Sequence, residues 1–216
     1  MKKSIKYILS TVVIIGFLSS CGKTTKNKIE GEWTITAHEE SYYYSDGDIT
    51  STLISSNSIT ENNDGDISTG DVHRAHWKIN KDGTWEREIS YTMTSTDAIG
   101  TVTVKKSTTV LTGEWDFLNH PGKEFKKNEQ IVFYPIKESY TTRVKSTLAG
   151  ETLYDITSTS DYDYGETSDY SEARYFKVYT STKNELVLGY KGKGQTKLSN
   201  GTFHTYDVTN EYTLKK

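Results

Sequence analysis

Trp85-Glu86-Arg87-Glu88-Ile89-Ser90-Tyr91-Thr92-Met93 is the stretch whose reading decides the fold class of this chain. Its odd positions, Trp85, Ile89, Tyr91 and Met93, make one apolar row, with Arg87 the exception. Its even positions, Glu86, Glu88, Ser90 and Thr92, make a polar row. Successive side chains of a strand point to opposite faces, so this period of two describes a sheet with one face in a core and one in water. Composition agrees: 16 tyrosines, 4 tryptophans and abundant threonine favour strands, and only 2 prolines interrupt them. No segment carries a helical period.

Other segments repeat the alternation. Trp33, Ile35 and Ala37 alternate with Thr34, Thr36 and His38, and Trp77 and Ile79 flank Lys78. Leu186, Leu188 and Tyr190 alternate around Val187 and Gly189. Tyr206, Val208, Tyr212 and Leu214 share a face that Asn210 interrupts. Gln130 to Ile136 is apolar on both faces, and Pro135 is expected to stop the ladder locally or to sit on an edge. Between these runs, Asn80-Lys81-Asp82-Gly83 and Asn200-Gly201 read as hairpin turns, and Thr96 to Gly100 as a connection. Ser45–Asp48 and Glu61–Asp71 read as exposed loops, and Thr157–Glu172 as a long mobile loop. Roughly eight or more antiparallel strands joined by hairpins must close or stack to hide their edges, and sequential hairpins favour an up-and-down barrel. No shift in composition marks a domain boundary.

The first residues belong to export. Lys2, Lys3 and Lys6 precede an apolar run from Ile8 to Leu18. Such a run spans only about 16 Å as a helix, short of the ~20 residues that a transmembrane anchor needs. A basic start, a short apolar core and small residues describe a secretory signal. Leu18-Ser19-Ser20-Cys21 ends on the sole cysteine of the protein and resembles the bacterial lipobox. The resemblance implies a diacylglyceryl thioether on Cys21, cleavage just before it and acylation of the new amino terminus. Leu18, Ser19 and Ser20 would then be the processing residues. A thiolate is the nucleophile suited to that thioether. With no second cysteine, no intramolecular disulfide holds the fold.

The expected organisation is a signal peptide at 1–20, a lipidated tether at 21–27 and one β domain at 28–216. Loss of the three leader lysines moves the formal charge from −3 to about −6, which argues against nucleic acid as a partner. At ~0.8 kcal/mol per buried methylene, two or three acyl chains anchor a protein almost irreversibly. Gly22 and Lys23 lack the acidic character of a surface-export tag, so the expected location is the outer membrane of the cell envelope, facing the periplasm.

Lys28-Ile29-Glu30-Gly31-Glu32-Trp33-Thr34-Ile35 resembles the opening strand of lipocalin-like domains, with their Gly-x-Trp signature. Trp77-x-Ile79 with Lys81-Asp82-Gly83-Thr84, a second Gly113-Glu114-Trp115, and the late Asn184 to Leu188 and Glu211 to Lys216 runs are similar to small lipid-anchored lipocalin-like proteins of Gram-negative bacteria. The resemblance implies an antiparallel up-and-down barrel. Gly31 would let the chain bend at its base and Trp33 would plug the closed end. Polar, tyrosine-rich insertions depart from the family pattern and from a simple apolar pocket.

Catalytic and metal motifs are weak. His73-x-x-His76 is half of a metal site, but residues three apart on a strand point to opposite faces. Asn62, Asp64, Asp66 and Asp71 outline a calcium loop, yet position six is Ile67 and position twelve is His73 where glycine and glutamate belong. Asp161, Asp163, Glu166 and Asp169 are ordinary solvated acids on this reading. Gly189 to Gly194 has no helix after it to cradle phosphate. No metal, cofactor or catalytic residue is therefore assigned. Tyr42-Tyr43-Tyr44 and Tyr162, Tyr164, Tyr170 and Tyr175 stand among Ser, Asp and Gly, a composition suited to recognition as well as to packing. Tyr162, Tyr164 and Tyr170 are the candidate recognition loop. The function expected is a non-enzymatic binding module for a small amphipathic ligand or an envelope partner. The alternative is a structural or accessory lipoprotein without a small ligand, with an envelope hydrolase third.

Overall fold

A computed structural model of the chain describes residues 26–118, 129–164, 173–197 and 203–216. Leader residues 1–20, Cys21 and Tyr170 lie outside them. A single helical turn, α1 (Lys26–Ile29), leads into strands β1 (Gly31–Tyr44), β2 (Ile49–Ser55), β3 (Ser58–Asn63), β4 (Asp66–Ile79), β5 (Thr84–Thr96) and β6 (Val102–Leu118). β7 (Gln130–Leu148), β8 (Glu151–Asp163), β9 (Arg174–Ser181), β10 (Glu185–Lys197) and β11 (Phe203–Lys215) follow. No helix among the described residues is long and apolar enough to cross a membrane.

All strands join one antiparallel sheet, and a β6–β7 ladder turns that sheet into a ring. Neighbours in the ring are neighbours in sequence, except where β1 meets β11 and at two further places that give the ring its shape. β1 pairs with β4 through Gly31↔Ile79 to Thr34↔His76, and only higher up with β2. The β2–β3 hairpin is thus wedged between β1 and β4 at one end alone. Likewise β7 pairs with β9 through Gln130 to Phe133, and from Lys137 onward with β8. One end is therefore closed by ladders running β1, β4, β5, β6, β7, β9, β10, β11 and back to β1. The other end flares around β2, β3 and β8.

The closed end holds the core. Trp77 is its centre, with ring centroids 4.8 Å from Phe133 and from Tyr212, 5.9 Å from Trp85 and 6.4 Å from Phe176. Edge-on and tilted packing suits the ring quadrupoles. Ile35, Ile79, Leu186, Leu188 and Leu214 fill the space around them and are fully buried. Trp33 closes this end, its indole Nε1 donating to the Ile29 carbonyl at 2.7 Å, with Lys216 Nζ 4.5 Å above the ring centroid. Trp115 donates to the Asn80 carbonyl at 2.8 Å.

The alternation around Trp85, Trp77 and Tyr212 is realised, and so is the Asn80–Gly83 turn, where Asn80 N donates to Thr84 O at 2.8 Å. Asn200-Gly201 lies outside the described residues. Three expectations are corrected. First, Ala37 is not inside: a register shift between Ile35 and Ala37 inserts an extra residue in β1 and exchanges its faces. His38 enters the interior in its place, as a bulge requires. Second, Glu61–Asp71 is no open loop but the β3–β4 hairpin. Asp64 and Gly65, both at positive φ (52° and 91°), make the two-residue turn that Asp-Gly favours. Third, 157–163 is strand rather than mobile loop: β8 pairs along β7 from Leu148↔Glu151 to Lys137↔Asp163, although every β8 residue is exposed. As expected, Pro135 interrupts the ladder only locally, in the gap between the β9 pairing that ends at Phe133 and the β8 pairing that starts at Lys137. β7 continues to Leu148, and a register shift beside the Gly113↔Pro135 pair accommodates the proline.

Candidate functional site

Above the aromatic base the interior becomes polar. His38 and Tyr212 face each other across the β1–β11 ladder and stack, and Arg87 Nη1 donates to the Tyr212 hydroxyl at 2.5 Å. Next along the same ladder, Glu40 faces Asn210, whose Nδ2 donates to Glu40 Oε1 at 2.9 Å. The Tyr42 hydroxyl donates to the same oxygen at 3.1 Å. A cavity of about 360 Å³ opens here. β1 supplies Glu40 and Tyr42, β9 supplies Arg174 and Phe176, β10 supplies Tyr190, and β11 supplies Tyr206, Val208 and Asn210. Its floor is the aromatic base, through Phe176.

Electrostatics set the character of this place. Burial, then the Arg87 charge and more weakly that of Arg174, lower the His38 pKa from 6.5 to about 3, against the opposing Asn210 amide. His38 is therefore a neutral imidazole at ordinary pH. Its two ring nitrogens are buried without a hydrogen bond of full geometry, as is Asn210 Oδ1. Burial, followed by Glu40, pushes the Tyr42 hydroxyl upward, and burial does the same to Tyr212 against the pull of Arg87. Both phenols stay protonated; Tyr42 donates to Glu40, and Tyr212 accepts from Arg87. Neither Arg87 nor Arg174 meets a carboxylate among the described residues.

A second polar cluster lies further round the wall. Tyr91 donates to Glu61 Oε1 at 3.0 Å, and Lys105 Nζ is 3.9 Å from Glu61 Oε2. Ser107 and Thr142 hydroxyls are 3.2 Å apart, with Tyr140 beside Ser107. Burial would raise the Tyr140 pKa, but hydrogen bonding to Ser107 and Thr142 and the Lys105 charge turn the net shift downward. These groups satisfy one another.

The residues singled out in the sequence are scattered. Tyr164 turns inward: it donates to Glu138 Oε2 at 2.6 Å and packs on the core. Tyr162 is exposed on β8. Gly31, at φ 131°, lies against the Lys216 side chain, and Trp33 is at the closed end. His73 falls at a register shift in β4, its Nε2 2.7 Å from Thr92 Oγ1. No group of three metal-binding side chains converges among the described residues. Gly192 and Gly194 of β10 leave room for the Tyr190 and Tyr206 side chains that lie over them.

His38, Glu40 and Arg174 were not singled out by sequence. The available signals were the two blemishes on otherwise apolar rows, Arg87 and Asn210, and both belong to this polar layer. His38 was hidden by the bulge at Thr36, and Arg174 sits in no readable pattern. Compared with protein families, with curated proteins and with solved structures, the chain matches none.

Proposed function

We propose that the protein is a lipid-anchored lipoprotein of the cell envelope, on the outer membrane and facing the periplasm. Its ring-like sheet is a non-catalytic, lipocalin-like module that takes a small amphipathic ligand. The observation that carries the ligand reading is the cavity between β1, β9, β10 and β11, lined by Tyr42, Tyr190 and Tyr206, by Glu40, Arg174 and Asn210, and by Phe176 and Val208. About 300 Å³ or more is the size range of small-molecule sites, and a few placed polar groups in an apolar setting are their usual chemistry. Neutral His38 and protonated tyrosines offer hydrogen bonds and contact area, not an activated nucleophile with its base. Glu40 is the one carboxylate among the described residues that line the cavity, whereas glycoside hydrolysis uses two.

A thermal-shift panel of lipids, haem and glycans tests this. Stabilisation by an amphipathic member, lost when Tyr42 and Tyr206 are replaced by alanine, supports the proposal. No shift with any member counts against it. The second reading, a structural or accessory lipoprotein without a ligand, is favoured by one observation: the closed end is filled by its own aromatic side chains.

A further inference from the structure

Arg87 and Arg174 stand on different strands of the polar layer, and neither has a carboxylate partner among the described residues. Arg174 lines the cavity from β9, and Arg87 reaches Tyr212 from β5. The charges that act on the Tyr212 hydroxyl are Arg87, Glu40 and Arg174, a local excess of one positive charge. Glu40 is already occupied on Oε1 by Tyr42 and Asn210. Of the other interior acids, Glu138 accepts from Tyr164 and Glu61 faces Lys105. None of them reaches either guanidinium. A part-buried guanidinium without a counter-charge is unfavourable unless an anion joins it. Independently, His38 and Asn210, both more than nine-tenths buried, keep polar atoms without hydrogen bonds in the same layer.

We propose that the cavity takes the anionic head, a carboxylate or a phosphate, of the amphipathic ligand, with Arg174 on its wall as the group that binds it and the Arg87 charge, set behind Tyr212, reinforcing it. This rests on the ligand-binding reading above. The fork of a guanidinium matches either anion with paired hydrogen bonds. Tyr42, Tyr190 and Tyr206 line the way in. Phe176 and Val208 meet the first carbons behind the head.

The test titrates the purified full chain with decanoate, decyl phosphate, decanol and decyltrimethylammonium below their micellar range, read by tryptophan fluorescence. The anions are expected to bind about tenfold or more tighter than decanol, the worth of a charge-assisted contact. Decanoate against decyl phosphate tells which head fits. Arg174→Gln should abolish the anion preference, and Arg174→Lys should keep most of it. Arg87→Gln should weaken it with the circular dichroism spectrum unchanged, so the result does not depend on one variant folding. Equal binding of decanol, a preference for the ammonium compound, or an anion preference that survives both glutamine variants would overturn the inference while leaving ligand binding intact. Binding of none of the four would remove the ligand reading and this inference with it.

Discussion

The imidazole of His38 lies flat on the phenol ring of Tyr212, with centroids 4.0 Å apart and 6° between the planes. The two residues are directly opposed in the β1–β11 ladder, so backbone pairing fixes the stack. Trp77 and Phe176 pack on its Tyr212 side, Leu188 stands beside Tyr212 in the next ladder, and Arg87, Asn210 and Glu40 belong to the polar layer. The stack is the boundary between a dry base and a polar cavity.

His38 should make stability depend on pH. Its folded pKa, about 3, is below the unfolded value of 6.5. As pH falls below 6.5 the unfolded chain binds a proton that the folded one refuses, so stability falls until about pH 3. The slope is about 1.4 kcal/mol per pH unit for one proton. His38→Phe keeps the stack, removes two unsatisfied nitrogens and should lose that slope. Urea unfolding of both proteins at pH 7 and pH 5 measures the difference; equal slopes would show that His38 is protonated in the folded state.

Trp77→Ala should cost about 3–5 kcal/mol, because a large side chain is removed from the centre of a packed cluster that cannot collapse around the void. Tyr162→Ala, at an exposed position on β8, should change stability by about 0.5 kcal/mol or less. Denaturant midpoints of the two variants give the comparison. A mild Trp77 variant would mean that the base is loosely packed.

Gly113 lies where β6 passes under Pro135. A methyl group there would run into the Tyr134 carbonyl oxygen and stand 2.9 Å from Trp85 Nε1. Gly113→Ala should cost about 3 kcal/mol, the upper range for forced overpacking. Gly100, at φ 87° with nothing within 4 Å, should cost only about 1–2 kcal/mol on the same change, from backbone conformation alone. Thermal unfolding of the pair separates crowding from backbone strain, and the reverse order would refute both accounts.

Cys21→Ser should leave the precursor without lipid and release the β domain from the membrane fraction, with its circular dichroism unchanged. Radiolabelled palmitate incorporation checks the chemistry, and normal labelling of the variant would refute the lipobox assignment. Protease treatment of intact cells should spare the wild-type domain if it faces the periplasm.

The strands were legible because alternation is a local property. Trp85 to Met93 carries its inside and outside in its own order of residues, and Asn80 to Gly83 carries its turn. Even the polar layer left a trace, as Arg87 and Asn210 broke rows that were otherwise apolar. A period-two reading fails at a bulge, however. One extra residue at Thr36 turned His38 from a surface residue into a buried group whose pKa is lowered to about 3. Asp64-Gly65 was equally readable in principle, but acidic residues on both sides made a tight hairpin look like a solvated loop.

By itself, then, the sequence determined the all-β class, the hairpin joining β4 to β5 and the two faces of regular strands such as Trp85 to Met93, since each follows from neighbours along the chain. The tertiary structure alone decided that eight of the ladders close one end around Trp77, that β2, β3 and β8 flare the other, and that Arg87 meets Tyr212 across the interior. Those relations join residues as far apart as Arg87 and Tyr212. They depend on register and on where the ring closes, which no local pattern encodes.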